Sequence, residues 1–204
     1  MSGDEVVYVV DDEETVRRSL SRLLRSAGLT VQTFPSAQAF LDQAPTNRPG
    51  CLVLDVRLPD LSGLDLQITL GSRQATLPII FITGRGSIPM SVQAMKGGAL
   101  DFLRKPVEAD ALLDAIHRAL ARSRAALTRA AAEGEVTRRL AKLTPREREV
   151  LDLVVTGRLN KQIAAELGAA EKTVKVHRGR VMKKMEAESV ADLIRMTQTV
   201  ERPS

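Results

Sequence analysis

Three carboxylates in this chain directly follow short apolar runs. Asp11 and Asp12 follow residues 6–10, and Asp55 follows residues 52–54. A short apolar run that ends at turn residues is typical of a strand buried on both faces of a parallel sheet. The carboxyl ends of such strands share one edge of the sheet, where ligands bind. We therefore expect the three carboxylates to converge, although Asp55 by itself could also cap the next helix.

Two further polar side chains follow apolar runs in the same way, Thr83 after residues 79–82 and Lys105 after residues 100–103. Close carboxylates raise one another's pKa unless a cation holds them, and oxygen ligands with room for water suit Mg²⁺ or Mn²⁺. A lysine and a hydroxyl would bind the oxygens of a phosphoryl group. The pattern predicts phosphoryl transfer, with Asp55 as nucleophile, the metal ion as charge neutraliser, and Lys105 and Thr83 as ligands of the transferred group.

The elements that must position these residues alternate between strands and helices. Between residues 6 and 122, five apolar runs alternate with segments of helical spacing, such as Val16 and Leu20. Ser36 is a suitable N-cap and Gly28 a suitable helix stop. This alternation predicts an α/β domain built on a doubly wound, five-stranded parallel sheet.

Composition excludes some classes of protein and separates the two halves of the chain. No apolar run is long enough to span a bilayer, no secretory signal begins the chain, and the only cysteine, Cys51, cannot form an internal disulfide. We expect a cytoplasmic protein that does not bind membranes. Residues 1–122 carry 13 basic and 14 acidic side chains, whereas residues 123–204 carry 17 and 11. The basic second part favours a polyanion as its partner.

The segment that joins the two halves is rich in alanine and arginine and has no proline. It predicts one long helix from Ala109 to about residue 140, with Gly134 as its weakest point. The predicted organisation is a first domain of residues 1–122, a helical linker of residues 123–140 and a second domain of residues 141–204. A coiled-coil dimer seam in the linker is an alternative, but its few, alanine-rich heptads favour a solvated helix.

The second domain is predicted to be all-helical, with four helices. Thr144, Pro145 and Glu147 form a capping-box sequence that opens the first helix, and Asn160 and Ser189 are suitable N-caps of the second and fourth. The third helix, residues 171–185, contains six basic side chains: Lys172, Lys175, Arg178, Arg180, Lys183 and Lys184. Two helices around a tight glycine turn are typical of a helix-turn-helix, and the basic helix suits the major groove of DNA.

The first domain resembles the receiver domain of two-component response regulators. Five positions in order carry the resemblance: Asp11, Asp12, Asp55, Thr83 and Lys105, the last followed by Pro106. Residues 81–103 are similar to the FixJ-like branch of that family. The resemblance implies a flavodoxin-like fold and phosphorylation of Asp55 by a sensor histidine kinase.

The same resemblance implies roles for individual residues. The implied metal ligands are Asp12, Asp55 and the backbone carbonyl of Arg57, with Asp11 assisting. Phe102 matches the family's aromatic switch, which moves inward as the residue equivalent to Thr83 approaches the phosphate. Because Phe102 has no hydroxyl, its switch would act through packing alone. The family also has a cis peptide bond before the proline that matches Pro106.

Two arginines depart from the pattern at positions that bear on the phosphoryl lifetime. Arg57 and Arg85 lie two residues after Asp55 and Thr83, and in the resembled fold both positions border the path of the hydrolytic water. Guanidinium groups there would pair with the phosphate and screen it. We expect slow self-dephosphorylation; the alternative is that both arginines point to solvent.

The second domain, residues 143–196, resembles the NarL/LuxR-type DNA-binding domain, most closely over residues 173–178. The resemblance implies that Lys175, Val176 and Gly179 face the groove. Gly179 has no side chain that could read a base, so readout is expected from Lys175, Val176 and Arg178. Contacts with the DNA backbone are implied for Lys161, Thr173, His177 and Arg180.

Together the two resemblances predict a phosphorylation-dependent transcription regulator. Without phosphate the two domains are expected to interfere with each other. Phosphate on Asp55 is expected to promote homodimerisation through a face around Met90, Met95 and Arg104, and then binding to double-stranded DNA, with RNA polymerase as a further partner. No enzymatic activity is expected beyond the receiver's own phosphotransfer and dephosphorylation.

Two other functions use parts of the same pattern. Phosphatases of the haloacid dehalogenase type also have a strand-end Asp nucleophile and Mg²⁺, but they place a second Asp two residues later, where this chain has Arg57. A phosphorylation-gated protein could also bind another protein through its helical domain. The six basic residues of the third helix count against that alternative, and salt-dependent binding of duplex DNA would separate the two.

Overall fold

All five apolar runs form strands in the computed structural model of the chain, which describes residues 5–44, 48–72, 77–84 and 88–201. The strands are β1 Val6–Val10, β2 Thr30–Phe34, β3 Gly50–Asp55, β4 Ile79–Thr83 and β5 Asp101–Arg104. They pair in parallel in the order β2-β1-β3-β4-β5. This order confirms the doubly wound, flavodoxin-like sheet.

Helices connect the strands and continue beyond them. They are α1 Glu14–Ser26, α2 Ala37–Gln43, α3 Gly63–Ser72, α4 Ile88–Lys96, α5 Ala109–Ala141, α6 Pro145–Val154, α7 Asn160–Glu166, α8 Glu171–Met185 and α9 Val190–Glu201. Within the described ranges, no helix is both long and apolar enough to cross a membrane. The chain divides into two compact units, residues 1–128 and residues 129–204.

The sheet of the first unit is buried on both faces, because alternate strand residues point to opposite sides. Tyr8 packs in one apolar cluster with Phe40 of α2, whereas Val9 packs in another with Leu24 of α1 and Ile116 of α5. Both faces being covered explains why the strands are continuous apolar runs rather than alternating ones. The polar residues that end these strands are thereby held at one edge of a rigid platform.

Helix α5 runs through the whole of the predicted linker, and most of the linker residues are exposed. It passes through Gly134 without a break and ends at Ala141. Within the first unit, the buried Ser123 hydroxyl accepts a hydrogen bond from the backbone N–H of Gly50 at 3.1 Å. Within the second unit, Val136 is buried and Leu140 packs beside it. The division after Thr128 lies inside the segment that the sequence analysis assigns to the linker.

The second unit is a small helical domain whose core was predicted from helical spacing. In α8, Val174, Val181 and Met185 are all buried as expected. The prediction of Asn160 as an N-cap is wrong, because Asn160 is the first residue of α7 and Leu159 holds the cap position. The backbone N–H of Leu159 is satisfied by a side chain one turn later, that of Gln162, at 2.8 Å.

The capping box that opens α6 is also the polar centre of the second unit. Thr144 and Glu147 exchange hydrogen bonds, 3.3 Å from the Glu147 N–H to the Thr144 hydroxyl and 2.9 Å from the Thr144 N–H to the Glu147 carboxylate. The same carboxylate pairs with Nζ of Lys184 at 2.6 Å. These hydrogen bonds, led by the one from Lys184, hold the pKa of Glu147 at about 2, below its ordinary value of 4.5.

This pairing should give the second unit a specific acid sensitivity. A carboxylate with a depressed pKa stabilises the fold above its unfolded pKa, and that contribution is lost as the pH falls through the folded pKa. We expect Glu147→Gln to lower stability at neutral pH and to flatten its dependence on pH between 4.5 and about 2. Hydrogen exchange of peptides from residues 143–196, measured across that range in the full chain, checks the expectation.

The matched control is Glu149→Gln, which removes an exposed carboxylate paired with Arg146 on the same helix. It should leave the pH dependence close to that of the parent chain. If the two variants behaved alike, the pairing of Glu147 with Lys184 would not be the source of the acid sensitivity.

Candidate functional site

The three carboxylates converge where the sheet register places them. Asp11 directly follows β1 and Asp55 is the last residue of β3, and both are buried, whereas Asp12 is exposed. One oxygen from each of the three carboxylates lies within 4.8 Å of the others. Asp55 pairs in register with Ile82, so Thr83 at the end of β4 lies one residue further along the same edge.

Lys105 is the cation that meets these carboxylates. Its Nζ lies 2.7 Å from Oδ2 of Asp11 and 2.6 Å from Oδ2 of Asp55, and the lysine side chain is 15% exposed. Burial alone would lower the pKa of Lys105, but the hydrogen bonds and negative charges of both carboxylates outweigh it and raise the pKa. Lys105 therefore stays protonated between two buried carboxylates.

The backbone fixes the other oxygens of the same two carboxylates. The N–H of Glu13 donates to Oδ1 of Asp11 at 2.9 Å, and the N–H of Arg57 donates to Oδ1 of Asp55 at 3.0 Å. Burial nevertheless raises the pKa of Asp11 despite its bonds to Lys105 and to Glu13. Lys105 alone thus does not fully offset the cost of burying the two negative charges, and the site favours a further cation.

A cavity of about 330 Å³ opens beside these groups. Its lining residues are Asp12, Glu13, Asp55, Arg57, Thr83, Gly84 and Lys105. The exposed carboxylates of Asp12 and Glu13 and the buried one of Asp55 supply the kind of oxygen ligands that Mg²⁺ takes while keeping several waters. The donor set therefore fits a divalent cation. Arg57 is exposed at the rim, and Arg85 lies outside the described residues.

The two residues expected to act as a switch lie on neighbouring strands. Thr83 is buried at the end of β4. Its backbone carbonyl accepts a hydrogen bond from the N–H of Lys105 at 2.8 Å, which joins the end of β4 to the residue after β5. Phe102 is half-buried, with its ring centroid 6.3 Å from that of Phe81. The peptide bond between Lys105 and Pro106 is cis.

In the second unit, α7 and α8 form the expected helix-turn-helix, and α8 has two distinct sides. Val174, Val181 and Met185 face the core, and the opposite side is exposed and basic. The exposed residues of that side are Lys172, Thr173, Lys175, Val176, Gly179, Arg180 and Lys183. The side chain of Val176 is 47% exposed on this side. Lys161, at the start of α7, is exposed as well.

Three polar or basic side chains of α8 are half-buried rather than exposed. Arg178 is half-buried and donates to Oδ1 of Asn160 at 2.9 Å. His177 is half-buried, and its Nδ1 has no hydrogen-bond partner in the part of the chain that the structure describes. Lys184 is bound to Glu147 and to the carbonyl of Lys142. Lys184, one of the six basic residues of α8, thus makes contacts inside the second unit.

Comparisons with known proteins match both units. The model of the response regulator receiver domain matches residues 7–117, and the model of bacterial regulatory proteins of the luxR family matches residues 141–197. The chain belongs to the response regulators of two-component systems. It is a FixJ-like transcriptional regulator with a receiver and a LuxR-type DNA-binding domain.

Curated response regulators resemble this one along nearly its whole length. Nodulation protein W of Bradyrhizobium diazoefficiens is 52% identical over 199 residues, which is 98% of this chain and 88% of that protein. Transcriptional regulatory protein FixJ of Rhizobium meliloti is 46% identical over 193 residues, 95% of each chain. A low-resolution structure of the response regulator StyR superposes with a TM-score of 0.87 at 45% identity, covering 96% of this chain and 99% of that one.

The sequence assigns no individual contact to two of the six basic residues of α8. Lys172 and Lys183 lie on the exposed side of the helix with Val176, a placement that the spacing of the buried Val174 and Val181 could have indicated. The bond from Arg178 to Asn160 joins residues 18 positions apart. No local pattern announces such a contact.

Added magnesium should stabilise the receiver unit of this response regulator. At a free concentration about 100 times its Kd, an ion that binds only the folded state contributes about 2.7 kcal/mol. We expect Asp12→Asn to remove most of this gain. Fluorescence of Tyr8, the only tyrosine in a chain without tryptophan, follows the unfolding of this unit because Tyr8 is buried in β1.

Glu14→Gln serves as the control, since Glu14 is exposed beside the site and pairs with Arg18. Its response to magnesium should equal that of the parent chain. If magnesium left the unfolding midpoint of the parent chain unchanged, the assignment of a cation site would be contradicted.

Proposed function

We propose that this response regulator is phosphorylated on Asp55 by a sensor histidine kinase and that the phosphoryl group controls its binding to promoter DNA. The observation that carries the proposal is the contact of Lys105 with the buried Asp11 and Asp55 at the wall of an open cavity. Asp55 is held by Lys105 beside space for a ligand, so a phosphoryl group transferred to Asp55 would lie next to the fixed positive charge of the lysine.

The phosphotransfer itself asks little covalent chemistry of the protein. A carboxylate oxygen of Asp55 forms the new P–O bond as the P–N bond of the donor phosphohistidine breaks, and the leaving imidazole takes a proton. Asp12, Asp55 and the backbone carbonyl of Arg57, assisted by Asp11, would hold Mg²⁺ or Mn²⁺. When bound, the ion offsets the charge of the carboxylates and of the incoming phosphoryl oxygens.

Lys105 and Thr83 would hold the transferred group. Nζ of Lys105 exchanges part of its contact with Asp55 for a phosphoryl oxygen, and the Thr83 hydroxyl donates to another. The two N–H groups of Glu13 and Arg57 keep both carboxylates oriented meanwhile. Arg57 at the cavity rim, with Arg85, would screen the phosphate, so slow self-dephosphorylation stays a prediction.

The signal would leave the site through Thr83 and Phe102. Movement of Thr83 toward the phosphate lets the Phe102 ring, half-buried against Phe81, pack further inward. The face of α4 and β5 then changes, where Met95 is 48% exposed and Arg104 is exposed. We propose that two phosphorylated receivers pair there. Moving such an equilibrium from mostly off to mostly on requires about 5.5 kcal/mol of differential binding, which dimerisation and DNA binding together can supply.

The DNA-binding unit would then act as half of a symmetric pair. Two copies of α8 would enter the major groove at half-sites about 34 Å apart. Lys175 and Val176 would contact base edges, and Arg178 would do so after giving up its hydrogen bond to Asn160. Lys161, Thr173, His177 and Arg180 would contact the phosphates. Lys172 and Lys183 share the exposed side of α8 and would add phosphate contacts.

We further propose that the regulator works in the cytoplasm and contacts RNA polymerase at its promoters. The receiver would catalyse only its own phosphotransfer and dephosphorylation. The proposed organisation keeps residues 1–122 as receiver and residues 141–204 as DNA-binding domain. The intervening helical segment contributes to both packed units, through Ser123 and Val136.

One experiment tests the control of DNA binding by phosphate. Duplexes bound from a random-sequence pool are selected with the full chain in magnesium buffer, with and without acetyl phosphate. We expect acetyl phosphate to enrich a two-fold symmetric sequence whose half-sites are one helical turn apart. Binding to that sequence should weaken steeply with salt, because Lys and Arg contacts with phosphates release counterions.

The matched variant is Lys175→Ala, with Arg22→Ala in α1 of the receiver as its control, since both basic side chains are exposed and α1 is not part of the proposed pairing face. Lys175→Ala should weaken binding to the selected sequence and Arg22→Ala should not. Selection of the same sequences at equal yield without acetyl phosphate would contradict the proposed control.

A further inference from the structure

We propose that Arg139 is a positioning residue for DNA binding, because it anchors the C-terminal end of α8 from the last turn of α5. The inference rests on the proposed use of α8 as the helix that enters the groove. Arg139 itself would not touch DNA. Its task is to keep the exposed side of α8 at a fixed rotation and depth.

The Arg139 guanidinium makes three contacts and is largely enclosed by them. Nη1 donates to the backbone carbonyl of Met185 at 2.9 Å, and Nη2 lies 2.7 Å from the carboxylate of Glu186. Nε donates to the carboxylate of Glu135, one turn back on α5, at 2.9 Å. The side chain is only 17% exposed. Each of the three guanidinium nitrogens thus has a partner inside the protein.

The C-terminal end of α8 has groups that Arg139 can bind. The last carbonyls of a helix have no partner within the helix, and a cation near them also interacts favourably with the helix dipole. Glu186, the C-cap residue, has a φ of +53°, the only positive φ of a non-glycine residue in the ranges described. This conformation costs energy for a residue with a side chain. Arg139 binds both the last carbonyl of α8 and the side chain of this strained residue.

The anchor acts on the half of α8 whose Val181 and Met185 are buried in the core. Lys184 adds polar contacts there, with Glu147 and with the carbonyl of Lys142. Without Arg139, the final turn would keep these contacts but lose the hydrogen bond to its last carbonyl. Contacts with bases depend on small displacements of the reading side chains, so a looser helix end should weaken sequence-specific binding more than it weakens folding.

The test uses the full chain with acetyl phosphate and magnesium, and the duplex recovered by selection as the labelled ligand. We expect Arg139→Ala to bind this duplex about tenfold more weakly, the size of effect that losing one charge-assisted hydrogen bond produces. The slope of log affinity against log salt should equal that of the parent, because no phosphate contact is lost. Hydrogen exchange should increase in peptides that cover residues 182–188 and stay unchanged in residues 145–154.

Arg138→Ala is the matched control, since it removes the same charge from the same turn of α5. Arg138 is exposed and pairs only with Glu135 in the described structure, so its loss should leave affinity within about twofold of the parent. Glu186→Gln removes the ion pair but keeps the Met185 bond, and should weaken binding by about threefold, between the parent and Arg139→Ala.

Four results would overturn the proposal. Affinity of Arg139→Ala equal to that of Arg138→Ala would remove the positioning role alone. A salt slope reduced by about one would show that Arg139 contacts a phosphate directly. Faster exchange throughout residues 143–196, together with parent-like binding by Glu186→Gln, would reduce Arg139 to a general stabiliser. A parent chain that binds no duplex would contradict the recognition role of α8 and this proposal together.

Discussion

The structure of the receiver depends on one electrostatic constraint: two carboxylates are buried at the end of a parallel sheet and share a single lysine. Asp11 and Asp55 are positioned by strands that are buried on both faces, and both side chains are almost completely removed from solvent. The pKa of Asp11 remains raised by burial even beside Lys105. Such a site has less positive than negative charge, and the proposed phosphorylation would add a further dianion to it. A cation-dependent, reversible modification is the chemistry that this imbalance favours.

The second unit separates two uses of basic residues on one helix. On α8, Lys175 and Arg180 are exposed, whereas Lys184 is committed to the buried Glu147 and Arg178 to Asn160. These two partly buried contacts limit the rotation of the helix about its own axis, and the exposed residues are left for a polyanion. Charge counted along the sequence therefore overstates the charge available to DNA.

Much of the fold and the carboxylate site could be predicted because local patterns determine them. Continuous apolar runs are diagnostic of strands covered on both faces, and polar residues at their ends must then meet at one edge, as Asp11, Asp55 and Lys105 do. The capping box at Thr144 and the buried positions of α8 likewise follow from short-range rules. The prediction of Asn160 as an N-cap is wrong because Asn160 lies one residue after the cap position. Its side chain accepts a hydrogen bond from Arg178 of α8 instead. Contacts such as Ser123 with Gly50 and Arg139 with Met185 join distant residues and leave no local signal.

The most direct test of the central claim is the labelling of the chain by radioactive acetyl phosphate. The parent chain should take up label in magnesium buffer and lose this ability when the metal is chelated. Asp55→Asn should take up none, while Asp114→Asn, which changes an exposed carboxylate of the same unit, should label as the parent does. Labelling of Asp55→Asn at the parent's level, or labelling that persists after chelation, would contradict the account.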